Sequence, residues 1–256
     1  MKKHEVEDLL REKAAYYNHP EFIETDPIQI PASFSKKEDI EISGFLSAVL
    51  AWGQRKTIIN NSNRLMEFME RSPHDFILNH SDSDLIPFEK FVHRTFNGDD
   101  CLAFIYALKK IYREGNGLEA LIYRSFLEDK LNPGTGWSAF KMQFFDVPHL
   151  QRTEKHLPNP LKGSAAKRMN MFLRWMVRED EKGVDFGIWK KLTPSQLYIP
   201  LDVHSARVAR KLRLLKRKQN DWKAVLELTE RLRRIDPDDP VRFDFALFGM
   251  GVFEKY

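Results

Sequence analysis

The stretch that decides the fold class reads LKGSAAKRMNMFLRWMVR and covers residues 161–178. Its second half places Met169, Phe172, Leu173 and Met176 at positions i, i+3, i+4 and i+7, which is the spacing of one apolar helix face. Its first half is a turn of small residues that leads into this helix. Such a turn leaves backbone N–H groups at the positive end of a helix dipole, where phosphate binds well. The stretch therefore predicts an amphipathic helix with an anion-binding start.

Helical periodicity recurs along most of the chain. It predicts helices at about 40–69 (interrupted at Trp52 and Gly53), 102–112, 118–127, 168–178, 203–215, 222–233 and 241–253. Strand-like alternation is nearly absent, and 186–189 and 196–199 are the only weak candidates. We expect an all-α fold, a single helical domain over 1–256 with two lobes. These lobes are about 38–155 and about 156–256, the latter packed with 1–37.

Composition limits the class of protein. The chain has 256 residues, of which 42% are hydrophobic, so a sizeable core can be buried without cross-links. The single cysteine, Cys101, excludes an internal disulfide framework and any all-cysteine metal or iron–sulfur site. Histidines and acidic residues show no metal-ligand spacing, so we expect no metal and no cofactor. The charged N-terminus and the lack of a long apolar run predict a cytoplasmic protein without a membrane segment.

Charge is concentrated in one place. The formal net charge is only +4, but the stretch 207–218 contains seven basic residues and no acidic residue. Local clustering of this kind is typical of phosphate contacts. A solvated basic face is the alternative.

The segment Pro200-Leu201-Asp202-Val203-His204 comes directly before this basic stretch. Asp202 is placed to cap the following helix by accepting a backbone hydrogen bond, which alone would be a structural role. A carboxylate held rigidly at a helix start can also stabilise a positive charge that develops on a sugar, or activate a nucleophile.

Three segments, in the same order, resemble the helix-hairpin-helix base-excision DNA glycosylases. Residues 161–174 resemble the hairpin and second helix, with the pattern Leu-Pro-Gly-Val-Gly-x-Lys-Thr-Ala-Asn. Residues 200–214 resemble the segment Val-Asp-Thr-His-Val-x-Arg-Val-x-x-Arg-Leu, and residues 48–61 resemble the early helix around Leu-Ser-Ala-Gln. More narrowly, the whole chain is similar to a bacterial family of uncharacterised proteins, a domain of unknown function, that shares the stretches Leu-Asp-Val-His and Phe-Ala-Leu-Phe-Gly.

The resemblance implies a two-lobed helical architecture with a central cleft, and base-excision repair of double-stranded DNA. Lys167 falls on the lysine that is the nucleophile in bifunctional members, and Asp202 falls on the catalytic aspartate. The implied activity is a DNA N-glycosylase that extrudes a damaged base, with an oxidised purine as one candidate, and that has AP lyase activity through a Schiff base. The protein would then be nucleoid-associated, and a monomer suits a lesion-scanning enzyme.

The DNA-binding residues follow from the same match and from the charge pattern. We predict contacts from Gly163, Ser164, Ala165, Arg168, Gln54, His204, Arg207, Arg210 and Lys211. Gln54 is the residue expected to fill the gap left in the base stack. A weaker prediction places a base pocket at His93, Arg94 and Phe96, whose rings and polar groups suit stacking and hydrogen bonding.

The chain also departs from the glycosylase pattern. Lys162 stands where the hairpin has proline, and Ala165 stands where it has its second glycine. Asp202 follows Lys167 by 35 residues, a long separation that is similar to the archaeal 8-oxoguanine branch. Residues 179–198 would then form a surface excursion. Two alternatives remain: a non-catalytic helix-hairpin-helix nucleic-acid-binding protein, and an interaction protein whose basic helix meets an acidic partner.

Overall fold

A computed structural model describes residues 2–127, 129 and 131–256 of the chain. The described residues are all-helical, as the periodicity predicts. They contain no strand, and β-type pairing is limited to two isolated bridges, His93 with Phe96 and Ser164 with Asp221. No helix in these residues has the length and apolar character needed to cross a membrane.

The contacts divide the chain into two compact units. Unit 1 consists of Met1–Glu24 and Asn159–Tyr256, and unit 2 consists of Thr25–Pro158. The chain begins with α1 (Lys3–Tyr17) and α2 (Glu21–Thr25). Unit 2 then contributes α3 (Gln29–Ala32), α4 (Lys37–Leu50), α5 (Arg55–Phe68), α6 (Pro73–Asn79), α7 (Ile86–Glu89), α8 (Gly98–Glu114), α9 (Gly117–Phe126) and α10 (Thr135–Phe144). Unit 1 resumes with α11 (Lys167–Val177), α12 (Val203–Lys211), α13 (Trp222–Arg233) and α14 (Phe243–Val252).

Unit 2 is built around an aromatic core. Phe45 of α4 has ring centroids 6.1 Å from Phe104, 5.9 Å from Phe140 and 5.3 Å from Phe144. All four rings are at most 1% exposed. Burying each of these side chains stabilises the fold by about 1.5–3 kcal/mol, and the tilted and edge-to-face pairs add to that. These contacts join α4, α8 and α10.

In unit 1, α14 packs closely against α1 and α12. Two glycines permit the approach, because a Cβ at Gly249 would lie 2.2 Å from the Tyr17 ring. A Cβ at Gly251 would lie 2.9 Å from the Cβ of His204. Larger residues at either position would push the helices apart.

The helix α11 is buried on all sides from Met169 to Val177, whereas the sequence predicts a single apolar face. The segment after α11 explains the difference. Phe186 N donates to Trp175 O at 2.8 Å and Trp189 N donates to Met176 O at 2.9 Å, so this segment runs along the end of the helix. The predicted surface excursion therefore contributes to the core, and Trp189 is 1% exposed. The same bonds explain why 186–189 forms no strand: its backbone pairs with a helix terminus.

The helix α12 ends at Lys211, four residues before the predicted end at 215. Arg213 adopts φ = +60°, and the N–H groups of Leu214 and Leu215 both turn back to Ala209 O, at 2.8 and 3.2 Å. This is the left-handed C-terminal closure that usually employs glycine. It turns Leu215, 2% exposed, into the core. The end of the basic stretch is consequently a loop and not a helix.

Candidate functional site

In the turn before α11, two backbone N–H groups donate hydrogen bonds to carbonyls of the residues just before them. Gly163 lies at φ = +90° with open space where a Cβ would stand. Its N–H donates to Pro160 O at 2.8 Å, and the N–H of Ser164 donates to Asn159 O at 3.2 Å. Both groups are therefore engaged inside the turn and do not point outward as the sequence predicts. The N–H of Ala165 donates to no group in the described part of the chain.

No α-helix precedes this turn in residues 145–166. Two 3₁₀ segments occupy that region, Gln151–His156 and Pro160–Lys162. The turn therefore joins a 3₁₀ segment to α11 and is not flanked by two consecutive α-helices.

Lys167 is the first residue of α11 and is half-buried. Its Nζ lies 3.2 Å from the Sδ of Met171, and within the described residues it forms no ion pair. A thioether is a weak acceptor, so this contact leaves the amine without a strong hydrogen-bond acceptor among the described residues. The neighbouring Arg168 is also half-buried, and burial lowers the pKa of its guanidinium to about 10, so that it stays charged at neutral pH.

Asp202 is the N-cap of α12. Its Oδ1 accepts hydrogen bonds from the N–H groups of His204 and Ser205, both at 2.8 Å. Its Oδ2 accepts no hydrogen bond from the described residues, and the side chain is only half-buried. The two roles considered for this residue are therefore compatible: one oxygen caps the helix while the other remains available. Beside it, His204 Nδ1 and Ser205 Oγ are buried without a hydrogen-bond partner in the described residues.

Asp244 of α14 is a buried carboxylate of unit 1. Burial raises the pKa of the Asp244 carboxyl to about 6. Arg174 and Lys167 oppose this rise, whereas Asp202 and Asp185 add to it. Lys167, Asp202 and Asp244 all belong to unit 1.

Arg174 fixes this carboxylate in place. Its Nη1 donates to Asp244 Oδ2 at 2.7 Å, and its Nε lies 3.3 Å from Asp185 Oδ1. One turn later, Arg178 donates to Asp239 at 2.8 Å and to Asp185 at 3.2 Å. Two arginines and several carboxylates therefore form a buried ionic cluster that ties α11 to α14.

Neither Asp244 nor Arg174 is among the site residues predicted from the sequence. The signal was present in both cases as a charged residue inside an apolar helix: Phe-Asp-Phe at 243–245, and an arginine between Leu173 and Trp175. A charge that a helix cannot turn to solvent requires a partner. Within one sequence, nothing indicates that these two residues are each other's partners.

The predicted phosphate-binding cations of α12 have partners inside the protein. Arg207 donates to Gly251 O at 2.6 Å and to Tyr256 O at 3.1 Å. Arg210 donates to the carbonyls of residues 217 and 218, both at 2.8 Å, and thereby holds the loop that follows. The Nζ of Lys211 lies 4.4 Å from the centre of the Tyr256 ring. Phosphate binding by these three side chains stays a prediction and would compete with these contacts.

Free positive charge lies instead in the loop after α12. The side chains of Arg213, Lys216 and Lys218 are exposed and form no ion pair within the described residues; we name this set the basic loop. Arg217 differs, because it pairs with Asp221, and that guanidinium lowers the pKa of Asp221 to about 2.

The remaining predicted residues belong to unit 2. Gln54 lies directly before α5, and His93, Arg94 and Phe96 lie between α7 and α8. Gln54 is exposed at the N-cap of α5 and makes no side-chain cap. His93 is 1% exposed, accepts from Asn61 Nδ2 at 2.9 Å and donates to Trp52 O at 3.2 Å. Arg94 is exposed, with its guanidinium 4.7 Å from the centre of the Trp52 ring.

Phe96, the third residue of the predicted base pocket, is 1% exposed and packs on Phe104 at 5.3 Å. The burial of His93 and Phe96 favours a role in the core of unit 2. Gln54 and Arg94 are the members of this group that present side chains at the surface. Among the described residues, no group of three histidine, cysteine or acidic side chains has an arrangement that could hold a metal ion.

These observations define an all-α protein whose unit 1 contains a capping aspartate, a half-buried lysine and a buried ionic cluster. The family model described as a protein of unknown function (DUF2400) matches residues 26–253, and the chain belongs to this family. No curated protein and no solved structure matches the chain.

Proposed function

We propose that this protein is a DNA-binding base-excision glycosylase with AP lyase activity, in which Lys167 is the nucleophile and Asp202 is the catalytic carboxylate. One observation carries the proposal: Asp202 uses one oxygen of its carboxylate to cap α12 and leaves the other without a hydrogen bond from the described residues. Rigid placement by a helix cap is what an electrostatic catalyst requires, because no reorganisation is then needed during the reaction.

The chemistry begins with extrusion of the damaged nucleotide, at a cost of a few kcal/mol in stacking and pairing. The unprotonated amine of Lys167 attacks C1′ of the sugar. The glycosidic bond breaks, and its electron pair leaves with the base, which takes up a proton. Asp202 Oδ2 accepts the proton of the lysine or stabilises the positive charge that develops on the sugar. Ring opening gives a Schiff base, from which elimination cleaves the strand.

The groups that bind the DNA backbone differ from the two reacting residues, Lys167 and Asp202. The basic loop and the N–H of Ala165 supply the phosphate contacts, which position the duplex without reading its sequence. Double-stranded DNA with a damaged base is therefore the proposed partner.

The test uses duplexes that each carry 8-oxoguanine, uracil, an alkylated base or an abasic site, with borohydride to trap a Schiff base. We expect a trapped adduct with the wild-type protein and none with Lys167→Gln. Lys162→Gln is the matched control, because Lys162 is an exposed lysine of the same turn and should leave trapping intact. If the wild type binds duplex DNA but processes none of these lesions, the enzymatic proposal is refuted.

That outcome would favour a second candidate, a nucleic-acid-binding protein without catalysis. The exposed cations of the basic loop support it, because they serve binding whether or not chemistry follows. Two further features support it. Lys162 and Ala165 depart from the hairpin pattern of the glycosylases, and a 3₁₀ segment stands where the hairpin has its first helix.

A further inference from the structure

Unit 1 contains a surface pocket of about 320 Å³ that neither Lys167 nor Asp202 lines. Its walls come from three places in the chain: the first turns of α1, the turn that closes α12 and the C-terminal end of α13. A volume in this range suits a small ligand, and ligand pockets usually combine an apolar lining with a few polar groups. The lining of this pocket has both parts.

The apolar part of the lining is aliphatic. Val6 and Leu212 are buried, and Leu214 and Ile235 are half-buried. No aromatic side chain is among the lining residues that the structure describes, so a flat ring finds no stacking partner there. The pocket is therefore better suited to an aliphatic group than to a nucleic-acid base.

The charged part of the lining is predominantly positive. It contains four cations, Lys3, Arg213, Arg231 and Arg234. Glu7 is the one carboxylate among the described lining residues, and it lies 3.6 Å from Lys3. The excess of positive charge favours an anion in this pocket.

Two of these arginines have side-chain donors that no described residue uses. Arg213 is exposed and forms neither an ion pair nor a side-chain hydrogen bond within the described residues. Arg231 lies 4.0 Å from Glu227, which is too long for a hydrogen bond. The two oxygens of Glu227 already accept from the backbone N–H groups of Lys216 and Arg217, at 2.8 and 3.2 Å. Both guanidinium groups can therefore donate to an acidic head group.

We propose that this pocket binds a small amphipathic anion, with its aliphatic body against Leu214 and Ile235 and its carboxylate between Arg213 and Arg231. Apolar burial supplies affinity, and charge-assisted hydrogen bonds orient the head group. The site does not depend on the proposed function. Arg213 belongs to the basic loop as well, whereas Arg231 does not, so Arg231 is the residue whose substitution tests the pocket alone.

The first experiment compares octanoate with 1-octanol, which share an aliphatic chain and differ in the acidic head group. Methyl ¹³C NMR spectra of the full chain follow the signals of Val6, Leu214 and Ile235 during each titration. We expect saturable shifts of these signals, with octanoate binding at least ~10-fold more tightly than 1-octanol. Equal affinity for the two probes overturns the anionic head group. Shifts confined to other methyl groups, or none that saturate, overturn the site.

The second experiment repeats the titrations with variants. Arg231→Gln should weaken octanoate binding about fivefold and leave 1-octanol binding unchanged. Lys3→Glu changes a side chain that is 87% exposed, so it should fold normally and also weaken octanoate binding. Lys223→Gln is the charge-matched control, because Lys223 is an exposed cation of α13 that does not line the pocket.

Two outcomes of these titrations refute the proposal. The first is octanoate affinity that stays at the wild-type value in both Arg231→Gln and Lys3→Glu. The second is tighter binding of adenosine monophosphate than of octanoate at the same methyl groups, which would show that the pocket prefers a ring to an aliphatic chain.

Discussion

Asp202 can be changed in two ways that separate its cap from its chemistry. Asparagine retains an oxygen that can accept from the N–H groups of His204 and Ser205, now at 2.8 Å, but it carries no charge. Alanine removes both the charge and the acceptor. Comparing Asp202→Asn with Asp202→Ala therefore assigns each effect to one property.

The stability effect follows from the two capping hydrogen bonds. Asparagine and aspartate rank equally as N-caps, whereas alanine costs about 1–2 kcal/mol. For a protein of this size that corresponds to a melting temperature lower by about 2–8 °C in Asp202→Ala. Asp202→Asn should melt close to the wild type, because asparagine caps a helix as well as aspartate does.

The catalytic effect should be equal in the two variants. Loss of one electrostatic contact to a transition state lowers a rate by about 100- to 1000-fold. We therefore expect both variants to trap abasic DNA at least ~100-fold more slowly than the wild type. Asp238→Asn serves as the charge control, with an unchanged rate and melting temperature.

Scanning calorimetry and borohydride trapping on the same preparations supply the two measurements. Wild-type trapping by Asp202→Asn would show that the free oxygen of Asp202 has no part in the chemistry. An unchanged melting temperature in Asp202→Ala would show that the cap contributes nothing measurable. Either result refutes the assignment of capping to Oδ1 and of catalysis to Oδ2 of Asp202.

Further predictions concern the ionic cluster, the helix packing and the DNA contacts. Arg174→Met leaves the buried carboxylate of Asp244 unpaired and should lower the free energy of unfolding by about 3–5 kcal/mol in urea, whereas the exposed Arg234→Met should change it by less than about 1 kcal/mol; equal effects would contradict the buried cluster. Gly249→Ala places a methyl group 2.2 Å from the Tyr17 ring and should cost about 1–3 kcal/mol by the same measurement, so that an unaffected variant would exclude the close approach of α1 and α14. Changing the three cations of the basic loop to glutamine should reduce the slope of log K against log salt for duplex DNA by about 2–3, and an unaltered slope would exclude the loop from the interface.

The sequence was sufficient where local signals decide the structure. The helix α13 begins at Trp222 and ends at Arg233, as predicted, because Asp221 caps its start and its apolar period is regular. The division between α4 and α5 was likewise visible at Trp52 and Gly53. The cap at Asp202 was predicted from the same kind of signal.

Long-range contacts account for what the sequence did not predict. The end of α12 is closed by Arg213 in a left-handed conformation, and no glycine marks the position. The burial of α11 on all sides depends on contacts with the segment that follows it, and these do not appear in helical periodicity. Arg174 and Asp244 are 70 residues apart in the sequence, and each is a charged residue within an apolar helix. Only the folded structure shows that they form an ion pair with each other.

The division of the chain has a consequence for how the protein is made. Unit 2 is one continuous stretch, Thr25–Pro158, whereas unit 1 joins the first 24 residues to those after 158. Translation proceeds from the N-terminus, and domains tend to fold as units while they emerge. Unit 2 can therefore complete its core while the ribosome is still synthesising α14. Helix α1 is synthesised early but packs against α14, which is synthesised much later. The region around Asp202 and Asp244 therefore forms after unit 2 has folded.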